Sequence, residues 1–560
     1  MTMILSPTSV NRFQEALLRH FSERPEKVFC HQVAAHGQTS ITWRELEASC
    51  GAFAAAYRKV GIEPEGQVLI FLRHVPQLYG AFFGAMLAGL TPAFMPCSSP
   101  RQDPDIYWKS HDQLLRLIRP AAVVTDAETL NEMTAAGLSL ESSAMLLIGD
   151  ITPATLVTRP EPETAIALLQ HSSGTTGLKK GVALSYGAIA DQIESYGHRL
   201  GINDRDVIVS WLPLYHDMGL IACLMLPTYY AVPVTHLDPF HWVSRPDTLF
   251  DQIVARDGTL TWLPNFAFDH LSATLGRRAA QWDLSGMRAF INCSEPCKAD
   301  TFDRFAASFA QSGIRGSQLH CCYAMAETVF AVSQSDFVDT GPERIRVASA
   351  SLDRGCIPTL LDSSEGVELI ETGRVVDGLE VSVHDQAGRE IPSECVGEIG
   401  IRGRFLFSGY NRDPERTAER IRDGVYFTRD LGFMRKNRLY VLGRLDDLII
   451  VNGRNLYAHE VEAAVHSIEG LKPGRTVAIA WFDSRIGSET LVIMAERAAT
   501  NDRPDKDIRH DISQVVHSIF NVMPRAIDLL DEGRLVKTSS GKISRKENLE
   551  RFVATRAGRP

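Results

Sequence analysis

A chain of 560 residues is longer than one ordinary domain, so a large core and at least one further domain are expected. Hydrophobic residues make up 44% and charged residues 22%, with no low-complexity tract, which excludes a disordered or fibrous protein. A formal charge of -10 argues against nucleic acid as the main partner and leaves room only for local basic sites that would hold an anion.

At the amino end, "MTMILSPTSVNRFQEALLRHF" has no basic segment leading into an apolar core and a small-residue cleavage site, so a cytoplasmic protein is expected. From Ile41 to about Val234, apolar runs such as "QVLIFL", "AAVVTD" and "DVIVSWL" alternate with helix-like segments such as "PQLYGAFFGAMLAGL", the pattern of an α/β architecture. The most apolar stretches, "GAFFGAMLAGLTPAFMP" and "GLIACLMLPTYYAVPV", are broken by Gly and Pro and fall short of the roughly 18 to 20 residues that span a bilayer. They read as buried core, and no stable membrane insertion is expected.

Between them lies "HSSGTTGLKKGVALS", His171 to Ser185. It is not the mononucleotide P-loop, because neither Gly174 nor Gly177 is followed at the required spacing by Gly-Lys-Ser/Thr. Read locally, "TAIALLQH" is a strand, "SSGTTG" a turn and "KKGVALS" a second strand, after which Ser185 caps a helix carrying Ile189, Ile193, Tyr196 and Leu200 on one face. Such a device could surround a polyphosphate with backbone amides and hydroxyls, Lys180 adding charge; it could equally be a glycine-rich hairpin with a solvated basic end.

Further on, "CSEPC" at 293–297 and "CC" at 321–322 have no paired histidines, and ten cysteines in so long a chain fit a reducing compartment, so neither zinc nor a disulfide framework is expected. Near Asp430 the texture changes: "LYVLGRLDDLIIVNGRNLY" joins short strands through a charged turn, and "HEVEAAVHSI" begins a helix. A second, smaller unit is expected there, ending in the basic, turn-forming "RLVKTSSGKISRKENLERF".

Beside the loop at 171–185 the chain carries, in order, "WLPLYHDMGL", "WLPNFAFDHL", "NCSEP", "YAMAETVF", "GEIGIRG", "GYNRDPERT", "FTRDLGF", "GRLDDLIIVNGRN" and "KTSSGKISR". This series resembles the adenylate-forming superfamily of acyl-CoA synthetases, luciferases and nonribosomal-peptide adenylation domains over essentially the full chain. Within it, "LPLYHDMGL", "PNFAFDHL", "NCSEP" and "GRNLYAHEVE" with "LKPGRTVAIA" are most similar to fatty acyl-AMP ligases. The stretch from Tyr323 to Gly373 is longer than a compact acyl-CoA synthetase spends, and the excess resembles the insertion that marks those ligases and is implied there to brace the small domain against transfer to free CoA.

The resemblance implies an α/β fold with a large multi-subdomain adenylation domain, residues 1–443, and a small mobile α+β domain, residues 444–560. ATP and magnesium are the implied cofactors, a carboxylic acid and an acyl carrier protein the implied partners. Two anions must meet when a carboxylate attacks the α-phosphorus of ATP, so alignment and cationic stabilisation matter more than a nucleophilic side chain. Ser172, Ser173, Gly174, Thr175, Thr176, Gly177 and Lys180 would hold the β- and γ-phosphates, with Thr176 near the metal and Glu327 as its carboxylate ligand. Adenine would fall to Asn292, to the backbone through Ser294 and Glu295, and to the segment Tyr323, Ala324, Met325 and Ala326. Asp430 would accept from the ribose hydroxyls, Arg444 would reach the same sugar, and His216 would sit beside the acyl carboxylate. Lys542 would reach from the small domain to the reacting carboxylate and α-phosphate, and Asp446 would be the hinge.

Taken singly, each of these residues also has an ordinary reading: Glu327 as a helix-start carboxylate, Asp430 with Arg444 as a surface ion pair, His216 as a structural histidine, Lys542 as part of a solvated tail. Three positions depart from the pattern. Lys179 stands where the family has Pro, Ala458 where the ligases commonly have Pro, and Arg429 where the family has Gly before the ribose aspartate. Arg429 has either displaced the ribose-binding turn or makes a contact of its own. The expected activity is acyl adenylation followed by transfer to a carrier-protein thiol; the rivals are an acyl-CoA ligase and a nucleotide-binding pseudoenzyme.

Overall fold

The computed structural model describes residues 10–98, 104–140, 143–172, 180–348, 351–363, 366–451, 454–466, 468–483, 488–499, 501–520, 522–537 and 543–557. Its largest sheet runs, edge to edge, through Arg374–Val375, Ala331–Gln334, Leu319–Ala324, Ala289–Asn292, Leu260–Leu263, Ile208–Ser210, Val234–Leu237, Val28–Ala34 and Gly37–Thr42. The strands from Leu319–Ala324 to Val28–Ala34 are mutually parallel, and the two margins are antiparallel. Strands such as "LTWL" and "AFIN" are buried along their whole length, as a parallel sheet covered on both faces requires. A smaller parallel sheet is built on Gln67–Phe71, flanked by Thr91–Phe94 and Ala122–Thr125.

The two apolar stretches are core. The helix Gln77–Leu87 buries every residue from Leu78 onward, and Met218–Met225 forms a fully buried π-helical segment that runs on into Leu226–Tyr230. The hairpin expected around the glycine-rich loop is present as Ile166–Ser172 against Lys180–Ser185, with Ser172 opposite Lys180. Ser185 then caps the helix Tyr186–Leu200, its hydroxyl accepting from the Ala188 amide at 3.2 Å.

A separate antiparallel sheet contains Leu379–His384, Gly397–Gly403, Val425–Arg435 and Arg438–Arg444. After Arg444 a single turn, Leu445–Asp447, leads into a hairpin, Leu448–Val451 with Arg454–Tyr457, and then the helix Ala458–Val465. The strands Leu471–Asp483, Ser488–Arg497 and Ala526–Leu530 complete a sheet packed by the helices Asp505–Phe520 and Arg545–Ala557. Two hydrophobic clusters, one from Ile449 to Val522 and one from Val477 to Phe552, draw all their buried members from beyond Leu448. Another cluster straddles the turn: Ile345, Val347 and Leu352 pack with Leu431, Phe433 and Leu442, and with Tyr457 on the far side.

Glu460, in the helix Ala458–Val465, has its carboxyl pushed up to about 7 by desolvation. A carboxyl whose folded pKa lies above its unfolded value contributes stability at low pH that is lost as pH rises through the folded value. Glu460→Gln is therefore expected to leave the thermal midpoint nearly unchanged at about pH 4, below the unfolded value, and to raise it at about pH 8, which differential scanning fluorimetry across that range would measure.

Candidate active site

Motif segments leave the large sheet at the carboxyl ends of neighbouring parallel strands. Ile208–Ser210 runs into "WLPLYHDMG", Leu260–Leu263 into "PNFAF", Ala289–Asn292 into "CSEP" and Leu319–Ala324 into "MAE". Four stretches far apart in sequence are thereby brought to one rim, the side on which open α/β sheets bind ligands.

Along that rim Asn292 is fully buried; its Nδ2 donates to Asn265 Oδ1 at 2.9 Å, and Asn265 Nδ2 donates onward to Thr301 Oγ1 at 3.2 Å. Asn292 Oδ1 accepts no described hydrogen bond. A buried acceptor held in place without a donor costs about 1–3 kcal/mol, so a ligand amino group would be met by a preformed partner. Ser294 sits at φ 70°, turning the chain sharply, and Glu295 Oε2 accepts from the Phe266 amide at 2.9 Å, which fastens this loop to the start of the helix Asn265–Leu275.

Tyr323 and Asp430 meet directly. The Tyr323 hydroxyl donates to Asp430 Oδ2 at 2.5 Å and Arg444 Nε to Asp430 Oδ1 at 3.1 Å, Asp430 and Arg444 being register partners across their hairpin. Burial pushes the Asp430 carboxyl up, and Arg444 and Tyr323 act against that. Asp430 is itself buried, at 8% exposure, while the side chain of its partner Arg444 is 48% exposed.

Glu327 opens no α-helix but sits in a one-turn 3-10 helix. It lies in the single turn Ala326–Thr328, after Tyr323, Ala324 and Met325, with its Oε1 accepting from the Tyr410 hydroxyl at 2.8 Å and its carbonyl accepting from the Phe407 amide at 2.8 Å. Tyr410 stands on Gly409–Tyr410, which pairs with Lys180–Ser185, so Glu327 is tied to the sheet that carries the glycine-rich hairpin. The turn is held under strain: Val329 has φ 64° and ψ -53°, and the Phe330 amide donates to Thr328 carbonyl at 2.7 Å, a γ-turn that a β-branched residue rarely occupies.

His216 precedes the π-helical segment, its carbonyl accepting from the Leu220 amide at 2.7 Å. Gly219 in the same motif lies where a Cβ would stand 2.2 Å from the Pro213 carbonyl oxygen, so glycine alone permits this close approach. The first residue of the motif, Trp211, stacks on Trp242 with ring centres 3.8 Å apart and planes 4° apart, and meets Phe266 edge-on.

Ser173, Gly174, Thr175, Thr176, Gly177 and Lys179 lie outside the described residues, as does Lys542. Ser172 and Lys180 are placed on the two hairpin strands at the mouth of that loop. Arg429 makes a contact of its own. It holds φ 61°, the left-handed geometry a glycine would supply, its amide donates to Glu398 Oε1 at 2.9 Å, and its guanidinium reaches Asp446 at 2.5 Å from Nη2 and 3.1 Å from Nε. Asp446 lies in the turn Leu445–Asp447.

Two participants were not singled out from the sequence, Asn265, which fixes Asn292, and Tyr410, which fixes Glu327; nor was the bond from Tyr323 to Asp430. The first two stand inside the quoted "PNFAF" and "GYNRDPERT", which is the signal that would have found them.

Residues 17–411 match the family described as AMP-binding enzyme, which is most of the chain. The chain belongs to the AMP-binding enzyme family. A member of curated function, the long-chain-fatty-acid–AMP ligase FadD32 of Mycolicibacterium smegmatis, is 30% identical over 90% of this chain and 88% of its own. The medium-chain-fatty-acid–[acyl-carrier-protein] ligase JamA of Moorena producens is 25% identical over 92% of this chain and 90% of its own. A structure from a study of fatty acyl-adenylate ligases of E. coli and L. pneumophila superposes with a TM-score of 0.89 at 25% identity, covering 99% of this chain and 100% of that one. The mixed α/β architecture is thus that of adenylate-forming enzymes. Among the described residues no helix is long and apolar enough to cross a membrane, and no group of three or more His, Cys, Asp or Glu is assembled to hold a metal by itself.

Proposed function

We propose that this AMP-binding enzyme is a fatty acyl-AMP ligase that loads an acyl carrier protein. In the first step a fatty or other apolar carboxylate attacks the α-phosphorus of ATP; the new carboxyl oxygen–phosphorus bond gives the acyl adenylate, and the bond to the β-phosphate breaks to release pyrophosphate. In the second step the phosphopantetheine thiol of the carrier attacks the acyl carbon, losing its proton, and AMP departs. The observation that carries the reading is the gathering of His216, Asn292, Ser294, Tyr323 and Glu327 at the carboxyl ends of adjacent strands, with Asp430 and Arg444 joined to Tyr323. The names of the FadD32 and JamA relatives support the acid and the carrier respectively.

In this reading Asn292 Oδ1 takes the adenine amine, Asp430 and Arg444 take the ribose, and Ser172 to Gly177 with Lys180 take the β- and γ-phosphates. Magnesium, when bound, would offset phosphate charge. Glu327 fits it, because a carboxylate suits a hard ion and the Tyr410 hydroxyl orients it through Oε1; Thr176 and the nucleotide would supply the rest. His216 would orient the incoming carboxylate, and Lys542 would bring positive charge to it and to the α-phosphate. We place the large domain at residues 1–443 and the small one at 444–560, with Asp446 as the hinge and the cytoplasm as the compartment.

Acid-dependent exchange of labelled pyrophosphate into ATP tests the first step, and a screen of acids by that assay names the substrate. For the second, the packing of Ile345, Val347 and Leu352 against Tyr457 supports a brace that disfavours the rotated state free CoA would need. The purified enzyme is expected to accumulate acyl-AMP when CoA is the only thiol and to form thioester with a phosphopantetheinylated carrier. Shortening the insertion within residues 337–364 should let some acyl-CoA form. Rapid, saturable acyl-CoA production by the unaltered chain would make it an acyl-CoA ligase instead.

A further inference from the structure

Two ion pairs of opposite sense join the same two segments. Consecutive residues Arg429 and Asp430 on the strand Val425–Arg435 face Asp446 and Arg444, respectively, in the connector and on the strand that feeds it. The site-facing rung is Asp430 with Arg444; the outer rung is Arg429 with Asp446. The next connector residue, Asp447, is held from the other side: Arg545 Nη1 donates to its Oδ2 at 2.9 Å, and Arg545 Nη2 donates to Glu462 at 2.9 Å, all three residues of that network lying beyond Arg444. Adjacent acidic residues of one short turn are therefore anchored to opposite halves of the molecule.

Three further observations show that the outer rung is built and not incidental. The pairing of Gly397–Gly403 with Val425–Arg435 shifts register between Glu398 and Gly400, so residues 428–430 form a bulge, and the bulge requires the left-handed φ of 61° at Arg429. An arginine there is less favourable than glycine, since its side chain offers none of the local hydrogen bonds that let Asn or Asp occupy this region. Its amide and guanidinium nevertheless both find carboxylates, Glu398 on the neighbouring strand and Asp446 on the connector. Finally, the hydrophobic clusters of Ile449–Val522 and Val477–Phe552 hang from this one crossing of the chain, so a change in the backbone at 445–447 swings that whole unit.

We infer that Arg429 is a positioning residue that latches the connector through Asp446, and that the latch biases the C-terminal unit toward the arrangement seen here. The rung lies one residue from the carboxylate that faces Tyr323, so a nucleotide drawing on Asp430 and Arg444 acts on the same two segments as the latch. With side chains 46% and 38% exposed, the pair is open to screening by salt, and its effect is a bias between arrangements and not a lock. For the enzymatic reading proposed above, on which this clause rests, the latch favours the arrangement seen here and delays the thiol-transfer step.

The test uses distances, so it stands whether or not the chain makes acyl-AMP. Spin labels on cysteines introduced at the exposed Ala48 and His510, in a Cys356→Ser background that removes the one exposed native thiol, report the separation of the two halves by double electron–electron resonance. Arg429→Gly, which also relieves the left-handed strain and is expected to fold, should raise the ratio of minor to major distance population about two- to fivefold, the range an exposed ion pair supports. Arg429→Met, keeping the bulk of the side chain, should do the same. Asp446→Asn should match them, and the double variant Arg429→Gly with Asp446→Asn should go no further than either alone. Raising the salt concentration should move the unsubstituted chain toward the variants and leave the variants where they are. An unchanged distance distribution in Arg429→Gly, or additive effects in the double variant, would overturn the latch.

Discussion

Replacing Asp430 with alanine is expected to raise the KM for ATP about thirtyfold or more while changing kcat far less. The carboxylate is buried, aligned by Tyr323 and Arg444 and by its own amide donating to Thr428 Oγ1 at 2.9 Å, so its oxygens are fixed before a ligand arrives. A hydrogen bond to a charged acceptor contributes about 1.5–3 kcal/mol, and 1.4 kcal/mol is tenfold in affinity. The ribose takes no part in bond making, so the loss should be of binding common to ground and transition states. Steady-state kinetics against ATP, with calorimetric titration of AMP, would measure it. Asp430→Asn, which keeps one acceptor oxygen and the volume, should fall between the two. A KM for ATP within twofold of the unsubstituted value in Asp430→Ala would mean that the ribose is bound elsewhere and that the cluster with Tyr323 and Arg444 is structural.

Lys542→Ala should cost about a hundredfold or more in the rate of acyl-AMP formation, with nucleotide binding and thermal stability nearly unchanged. The expectation comes from chemistry. When a carboxylate closes on a phosphorus already surrounded by negative oxygens, charge builds between the two reactants, and a cation delivered there at that moment is worth about 3 kcal/mol or more. Its stretch, "TSSGKISR", resembles the family's lysine-bearing turn. Single-turnover acyl-AMP formation, quenched and counted, separates this step from nucleotide binding. A near-normal rate would remove Lys542 from the chemistry.

The chain is most legible where a physical pattern is local. The hairpin at 166–185, the Ser185 cap, the buried Gln77–Leu87 helix and the charged turn before Leu448 each follow from turn chemistry or periodicity within a dozen residues. The meeting of His216, Asn292, Tyr323 and Glu327 was legible only through the ordered motifs, because the order of strands in a parallel sheet is decided by packing across the whole domain. Partners fixed by that packing were not legible: Tyr410 could be joined to Glu327, or Asn265 to Asn292, only once their strands had been placed. Arg429 is instructive in another way. Its departure from glycine was visible, and so was the choice between disruption and a new contact, but the left-handed φ and the reach to Asp446 depend on a bulge that no local pattern announces.

The cofacial indoles of Trp211 and Trp242 have an optical consequence. Of seven tryptophans in the chain, these two lie in contact, ring on ring, and Trp211 starts the segment that carries His216. Rings this close exchange excitation faster than they emit, so ultraviolet light absorbed by either one is answered by the pair together. Any displacement of Trp211 against Trp242 alters that shared emission, so the intrinsic fluorescence of the unlabelled protein reports on the geometry of this segment.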